Sequence, residues 1–219
     1  SAITGVQLNV FYGGTSDPIH FGHLAVATAA QQALQSTIHF LPSADPPHRA
    51  ITSACAQDRA NMVELAIAHN PYFKCDRREL YGHGKSYSFD TLNALRTEYG
   101  SKAPIIWLMG MDSFLGLTSW YHWRELFSLC HFAIAPRPEH GVESVESVLQ
   151  EAIAGRWVKS AQELQLTPSG SLYLLPMVLR EESATRVRMG FQQGERDNPF
   201  LPASVAEYIK THQLYASGV

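Results

Sequence analysis

Short apolar runs alternate along the chain with longer stretches in which apolar positions recur at helical spacing. VQLNVFYGG reads as a strand running into a glycine turn, TIHFLPS as a second strand, and FKCDRREL as a short edge strand. APIIWLMGMD is a continuous apolar run ending in Gly-Met-Asp and predicts a fully buried strand; HFAIAPRP and SLYLLPM predict two more. Between these, HLAVATAAQQALQ and DRANMVELAIAH predict helices, the latter with Met62, Leu65, Ala66 and His69 near one face. SYSFDTLNALRTEYG predicts a helix that starts at a Ser cap and stops at Gly100. SVESVLQEAIAG predicts a helix inside the otherwise poorly patterned residues 138–168, and SATRVRMGFQQG and PASVAEYIKTHQLY close the chain as helices. Strand–helix alternation of this kind predicts an α/β fold: an open, mostly parallel sheet with helices on both faces. Residues 1–219 read as a single domain, with the C-terminal helices, about 184–215, part of the same unit. No internal repeat or low-complexity segment interrupts it.

Composition narrows the function classes. The chain has 219 residues, 45% hydrophobic and 17% charged, enough for a sizeable core. A formal net charge of -3 disfavours a nucleic-acid partner, which needs a basic face, but leaves room for a local anion pocket. Cys55, Cys75 and Cys130 show no metal-like or CxxC spacing, so reduced thiols and a cytoplasmic location are expected. No apolar run approaches the roughly 18 residues of a membrane helix, and no basic-then-apolar leader stands at the start. No membrane partner is expected; oligomeric state is not legible.

In an open parallel sheet, ligands bind beyond the carboxyl ends of the strands. The polar-rich segments GGTSDPIHFGH, PSADPPHR, GMDS and PRP all follow predicted strands. In the first, Gly13 and Gly14 permit close backbone approach to a ligand. A helix beginning near Gly22-His23 offers orphan N–H groups and its positive end. Gly22 leaves the space between His20 and His23 open, so that both rings can address one anion. Imidazole suits this, since a neutral ring still donates and can gain charge. The stretch is neither a P-loop nor GxGxxG. A capped, solvated turn and a zinc site are the alternatives; zinc needs further ligands, and His48 is the one obvious candidate. In SATRVR, Ser183 and Thr185 can cap a helix and donate to phosphate, while Arg186 and Arg188 add charge in a fork that matches phosphate oxygens. A plain N-cap before a solvated basic face is the alternative there.

HFGH and SATRVR together resemble the two marks of the nucleotidylyltransferase superfamily, an HxGH loop and a late ISSTxxR-type helix start. GGTSDPIHFGHL, PPHR, DRRELYGHGKSYSFDTL, GMDSFLGLTSWYHW and PRP follow one another as in bacterial nicotinate-nucleotide adenylyltransferases, a resemblance running from about Val10 to Tyr215. It implies a Rossmann-like sheet and transfer of AMP from ATP, as its Mg²⁺ complex, to nicotinate mononucleotide, giving deamido-NAD and pyrophosphate. By that resemblance His20, His23 and Arg188 are the catalytic groups. ATP would be bound by Gly13, Gly14, Thr15, His20, Gly22, His23, Asp112, Ser183, Thr185 and Arg188, with Asp112 by the ribose. The mononucleotide would be held by His48 and Arg49, and its nicotinate recognised by main-chain groups around Tyr87, Ser88, Trp120 and Tyr121. No protein-held metal is implied, Mg²⁺ riding on the phosphates. Two departures stand out: Ser16 occupies a position where the family usually has Phe, which bears on loop packing, and Ala184 replaces a serine of the ISSTxxR pattern, so no hydroxyl role falls there.

The incoming phosphate is already an anion and needs no strong base. No Ser–His or Cys–His pair is placed as a covalent nucleophile. The expected chemistry is direct in-line attack supported by positioning and charge stabilisation. Other acceptors (the amide nicotinamide mononucleotide, or phosphopantetheine) and a non-catalytic nucleotide-binding regulator are the competing readings. Turnover with each acceptor separates them.

Overall fold

A computed structural model of the chain describes residues 7–45, 53–81, 87–137, 145–177, 184–195 and 198–216. Its strands are β1 (Asn9–Gly14), β2 (Ile38–Pro42), β3 (Phe73–Cys75), β4 (Ile105–Gly110), β5 (His131–Ala135), β6 (Trp157–Val158) and β7 (Leu172–Leu174). Its α-helices are α1 (Phe21–Leu34), α2 (Ala56–Ile67), α3 (Ser88–Tyr99), α4 (Met111–Leu115), α5 (Ser147–Ile153), α6 (Ala184–Gln192) and α7 (Ala203–Thr211). The strands form one open sheet in the order β3-β2-β1-β4-β5-β7-β6. The pairs β1–β4, β4–β5, β5–β7 and β6–β7 are parallel, as the alternation of strands and helices requires. The expected Rossmann-like sheet is therefore what the chain forms, with FKCDRREL supplying only a three-residue edge strand before a 3-10 turn at Arg78–Tyr81. Strand β6, two residues long, lies in the stretch the hydrophobic pattern left unread.

The chain is organised in two compact units, each built from separated segments. The first comprises residues Ser1–Gly13, Thr28–Ile38 and Tyr87–Leu179. Its centre is β4, whose register sets Phe11 opposite Trp107 and Leu108 opposite Ala133. Val10, Phe11, Ile105, Ile106, Leu108, Phe132 and Ile134 are fully buried there, which is why these strands read as unbroken apolar runs. Helix α3 stops as expected, with Gly100 in a left-handed conformation (φ 93°) and its N–H donating to the Arg96 carbonyl. At its start Tyr87 is the extended N-cap and Ser88 the first helical residue, with no side-chain cap bond from Tyr87, while Ser86, where the stretch begins, lies outside the described residues. Arg96 staples this unit by donating to the carbonyls of Gly100, Ala103, Leu129 and Pro168.

The second unit comprises Gly14–Ala27, His39–Ser86 and Arg180–Val219. Helices α2 and α7 pack together, burying Met62, Val63, Val205 and Ile209, and Phe40 meets Phe73 edge-on at 5.5 Å. The Tyr208 hydroxyl donates to Asp58 at 2.6 Å and accepts from Asn61 at 3.0 Å, tying α7 to α2. Among the described residues, no helix is long and apolar enough to cross a membrane.

Candidate functional site

The glycine turn at the end of β1 has two local causes. A Cβ on Gly13 would come within 2.5 Å of the Trp107 ring, so this position is glycine because β4 presses an indole against it. Gly14 holds φ 151°, outside the range L side chains favour. Ser16 takes a left-handed conformation (φ 47°), and the chain then reaches His20, which is 5% exposed.

The two histidines interlock. The His20 N–H donates to His23 Nδ1 at 3.1 Å, and the Gly22 N–H donates to His20 Nδ1 at 3.0 Å. A nitrogen that accepts from a backbone N–H carries no proton, so each neutral ring holds its hydrogen on Nε2. The rings lie against each other with centroids 3.9 Å apart. The open space expected between them is therefore absent: capture of a backbone N–H by each Nδ1 draws the rings together. The expected orphan N–H groups are also engaged, since Phe21 N–H donates to the Phe200 carbonyl at 2.8 Å and Gly22 N–H to His20. The Phe21 and Gly22 amides at the start of α1 are thus spent within the protein. His23 is half-buried, and desolvation together with the adjacent His20 ring pushes its pKa down to about 3, so its resting state is neutral.

The same unit brings the C-terminal basic helix to this loop. Arg188 Nη1 donates to the Asp17 carbonyl, and Arg188 Nη2 to Thr185 Oγ1 at 3.3 Å. Thr185 is exposed and Arg188 half-buried, while the Arg186 guanidinium lies over the Phe200 ring at 5.0 Å. Arg59, 1% exposed, donates to the carbonyls of Thr15, Ser43 and Ala54 and reaches Asp45 at 3.4 Å. A buried guanidinium satisfied by carbonyl oxygens fixes the backbone it touches. The Asp17 carboxylate accepts from the Ala54 N–H and the Tyr215 hydroxyl. The sequence does not single out Asp17, Arg59 or Tyr215: each has a partner far along the chain, and no local pattern marks it.

In the first unit, Asp112 stands in the first turn of α4 beyond β4, and its carboxylate accepts from the Arg137 guanidinium, the Arg of PRP. The sequence alone assigns Arg137 no role. The Tyr87 and Tyr121 rings stack at 4.4 Å, and Phe89 meets both Tyr121 (5.8 Å) and His122 (4.7 Å). His122 holds a left-handed backbone (φ 52°). Tyr87 and Tyr121 are thus brought together, with Ser88 beside them in the chain. Trp120 N–H donates to the Leu117 carbonyl at 2.9 Å, so this amide is engaged within its own turn. His48, Arg49 and Ser183 lie outside the described residues. Among the described residues, no group of three or more His, Cys, Asp or Glu side chains could hold a metal ion.

Comparison with known proteins bears on what such an arrangement serves. Residues 11–190 match the family model described as cytidylyltransferase-like. The sequence is 44% identical over 218 residues to a protein of Stenotrophomonas maltophilia named probable nicotinate-nucleotide adenylyltransferase, covering 97% of this chain and 98% of that one. A Xylella fastidiosa protein of the same name is 41% identical over 214 residues, covering 95% and 96%. The fold is similar to that of a Plasmodium falciparum nicotinic acid mononucleotide adenylyltransferase solved with NaAD, at a TM-score of 0.67 and 16% identity over 95% of this chain and 97% of that one.

Proposed function

We infer that this chain, which belongs to the cytidylyltransferase-like family and within it to the nicotinate-nucleotide adenylyltransferases, moves AMP from ATP to nicotinate mononucleotide, releasing deamido-NAD and pyrophosphate. The observation that carries this reading is the interlocked His20–His23 pair, held by backbone N–H groups in a loop that Arg188 also touches. An oxygen of the mononucleotide phosphate attacks the α-phosphorus of ATP in line. The bond from that phosphorus to the bridging oxygen breaks, and pyrophosphate leaves. His20, His23 and Arg188 are the catalytic groups. They contact the triphosphate and stabilise the charge that builds on it, with no covalent intermediate. His23 starts neutral, donates from its ring N–H, and can take up charge as the phosphates approach.

Gly13, Gly14 and Thr15 give the ATP backbone contacts, Gly22 lies against ATP with its own N–H kept on His20 Nδ1, and Thr185 and Ser183 donate hydroxyls to its distal phosphates. Asp112 lies by the ribose. His48 and Arg49 hold the mononucleotide, and Tyr87, Ser88, Trp120 and Tyr121 form the nicotinate pocket, an aromatic ring stacking on the pyridine. ATP enters as its Mg²⁺ complex, the ion held mainly by phosphate oxygens and water. The three cysteines are free thiols, which supports work in a reducing cytoplasm.

The test is pyrophosphate release from ATP with nicotinate mononucleotide, its amide and phosphopantetheine assayed in parallel. The amide differs from the acid in charge and in bearing an N–H donor where a carboxylate only accepts. A pocket of backbone N–H groups leaves that donor facing donors, at about 1–3 kcal/mol per group. We expect the acid to be preferred at least tenfold, and by more than about a hundredfold when two groups are mismatched. Equal use of acid and amide would replace this reading with a dual-specificity adenylyltransferase.

A further inference from the structure

Asp17 precedes His20 by three positions and is 9% exposed. A carboxylate in such a place needs donors on its oxygens. Its Oδ1 accepts from the Tyr215 hydroxyl at 2.5 Å and from the Ala54 N–H at 3.1 Å, while its carbonyl accepts from Arg188. One residue of the loop therefore gathers three distant segments, and one of them carries Arg188. Between Asp17 and His20, Ile19 is fully buried, so the short connection is packed along its length.

Tyr215 reaches this carboxylate at some cost. It is 5% exposed and holds a left-handed backbone at φ 60°, a conformation that a bulky side chain keeps only when its surroundings impose it. Burial and the Asp17 charge hold its phenol far above the ordinary tyrosine range, so the hydroxyl remains a donor.

We propose that Tyr215 is a positioning residue for the phosphate loop, fixing Asp17 and, through it, the place of His20 and His23 relative to Arg188. The proposal rests on the phosphate-binding reading of that loop. Tyr215 itself touches no substrate. Its hydroxyl sets where the donors stand, and a shift of about 1 Å in such donors can cost on the order of a hundredfold in rate.

Tyr215→Phe keeps the ring and removes only the hydroxyl. The expected result is a folded protein whose kcat/KM for ATP falls about tenfold or more, with KM for nicotinate mononucleotide within about twofold of the parent. A purely structural role would lower the active fraction and leave both KM values alone. NMR gives a readout independent of turnover: the imidazole signals of His20 and His23 should move in Tyr215→Phe while that of His131 stays in place. Asp17→Ala removes the acceptor and should reproduce the ATP-side loss. The double variant should lose no more than the worse single one, as expected for two residues in one linkage. A parent that releases no pyrophosphate sinks the adenylyltransferase reading, while the histidine signals still decide the role of Tyr215. Parental ATP constants with unmoved histidine signals overturn the proposal. So does loss of the fold in both variants, which would make Tyr215 a stability residue.

Discussion

Gly13→Ala separates two explanations of the glycine turn. The added Cβ would lie 2.5 Å from Trp107 Cζ2, 3.1 Å from Cη2 and 3.3 Å from Cε2. Carbon atoms pack comfortably at about 3.5–4.0 Å, so ring and strand must part by roughly 1 Å. Trp107 is 3% exposed and stands opposite Phe11, which is fully buried, so the indole has no open side to swing into. Overpacking of this kind costs about 1–3 kcal/mol. For a chain of this size each kcal/mol moves the midpoint by about 2–4 °C, so a fall of roughly 2–12 °C is expected in thermal unfolding followed by circular dichroism. Trp107→Leu removes all three contacted atoms. In that background the added methyl should cost less than about 0.5 kcal/mol, because the clash no longer exists. If ligand approach also demands glycine here, adding Gly13→Ala raises KM for ATP even in the Trp107→Leu protein. A Gly13→Ala protein as stable as the parent, or one that Trp107→Leu does not relieve, would refute the packing argument.

His23→Ala should lower turnover by about two to three orders of magnitude, the effect of losing one preorganised donor to developing charge, in a protein that still folds but loses about 1–3 kcal/mol with the acceptor of the His20 N–H; parental turnover in the purified variant would remove His23 from the site. His131 sets an acid limit on stability. It is fully buried, its Nδ1 accepts from the Ser171 N–H, and its Nε2–H donates to the Thr167 carbonyl, so the fold needs the neutral ring. Burial, aided by the Arg96 charge, lowers its pKa against the opposing pull of its backbone contacts. The unfolded chain therefore binds this proton first: the contribution is intact above about pH 6.5 and is lost as the pH falls below it, by up to about 1.4 kcal/mol per unit. Urea midpoints from pH 7.5 down to 5 should show that loss, and His131→Asn should reduce its slope without abolishing it, since His23, with its pKa down to about 3, adds a loss in the same range; an unchanged slope in the variant rules out this ring as a source.

The sheet was legible because its central strands are buried on both faces, which makes β4 and β5 unbroken apolar runs that no amphipathic helix imitates. Strand β6 escaped because two residues carry no period. The start of α3 is legible only to within a residue or two, since a serine stands on either side of Tyr87 and it is Tyr87 that takes the extended cap conformation. The histidine pair was visible as residue types at a spacing. Which nitrogen carries each proton depends on backbone N–H groups whose direction follows from the loop, and no sequence pattern gives that.

The groups that hold the site were hidden for a different reason. Arg59 and Thr15 are 44 positions apart, and Tyr215 and Asp17 are 198 apart. A local motif reports a side chain whose partner is a ligand or a neighbour within a turn or two. A buried polar residue whose partner is set by tertiary contact leaves only an ordinary Arg on a helix or an ordinary Tyr after one. The two kinds respond differently to substitution. On the proposed reading, removing His23 takes away a donor to the phosphates together with the acceptor of one backbone N–H. Removing a hidden anchor leaves every ligand contact in the sequence and moves it. Variants chosen from the HFGH and SATRVR motifs therefore test the proposed contacts, while their proposed placement is tested through residues such as Asp17, Arg59 and Tyr215.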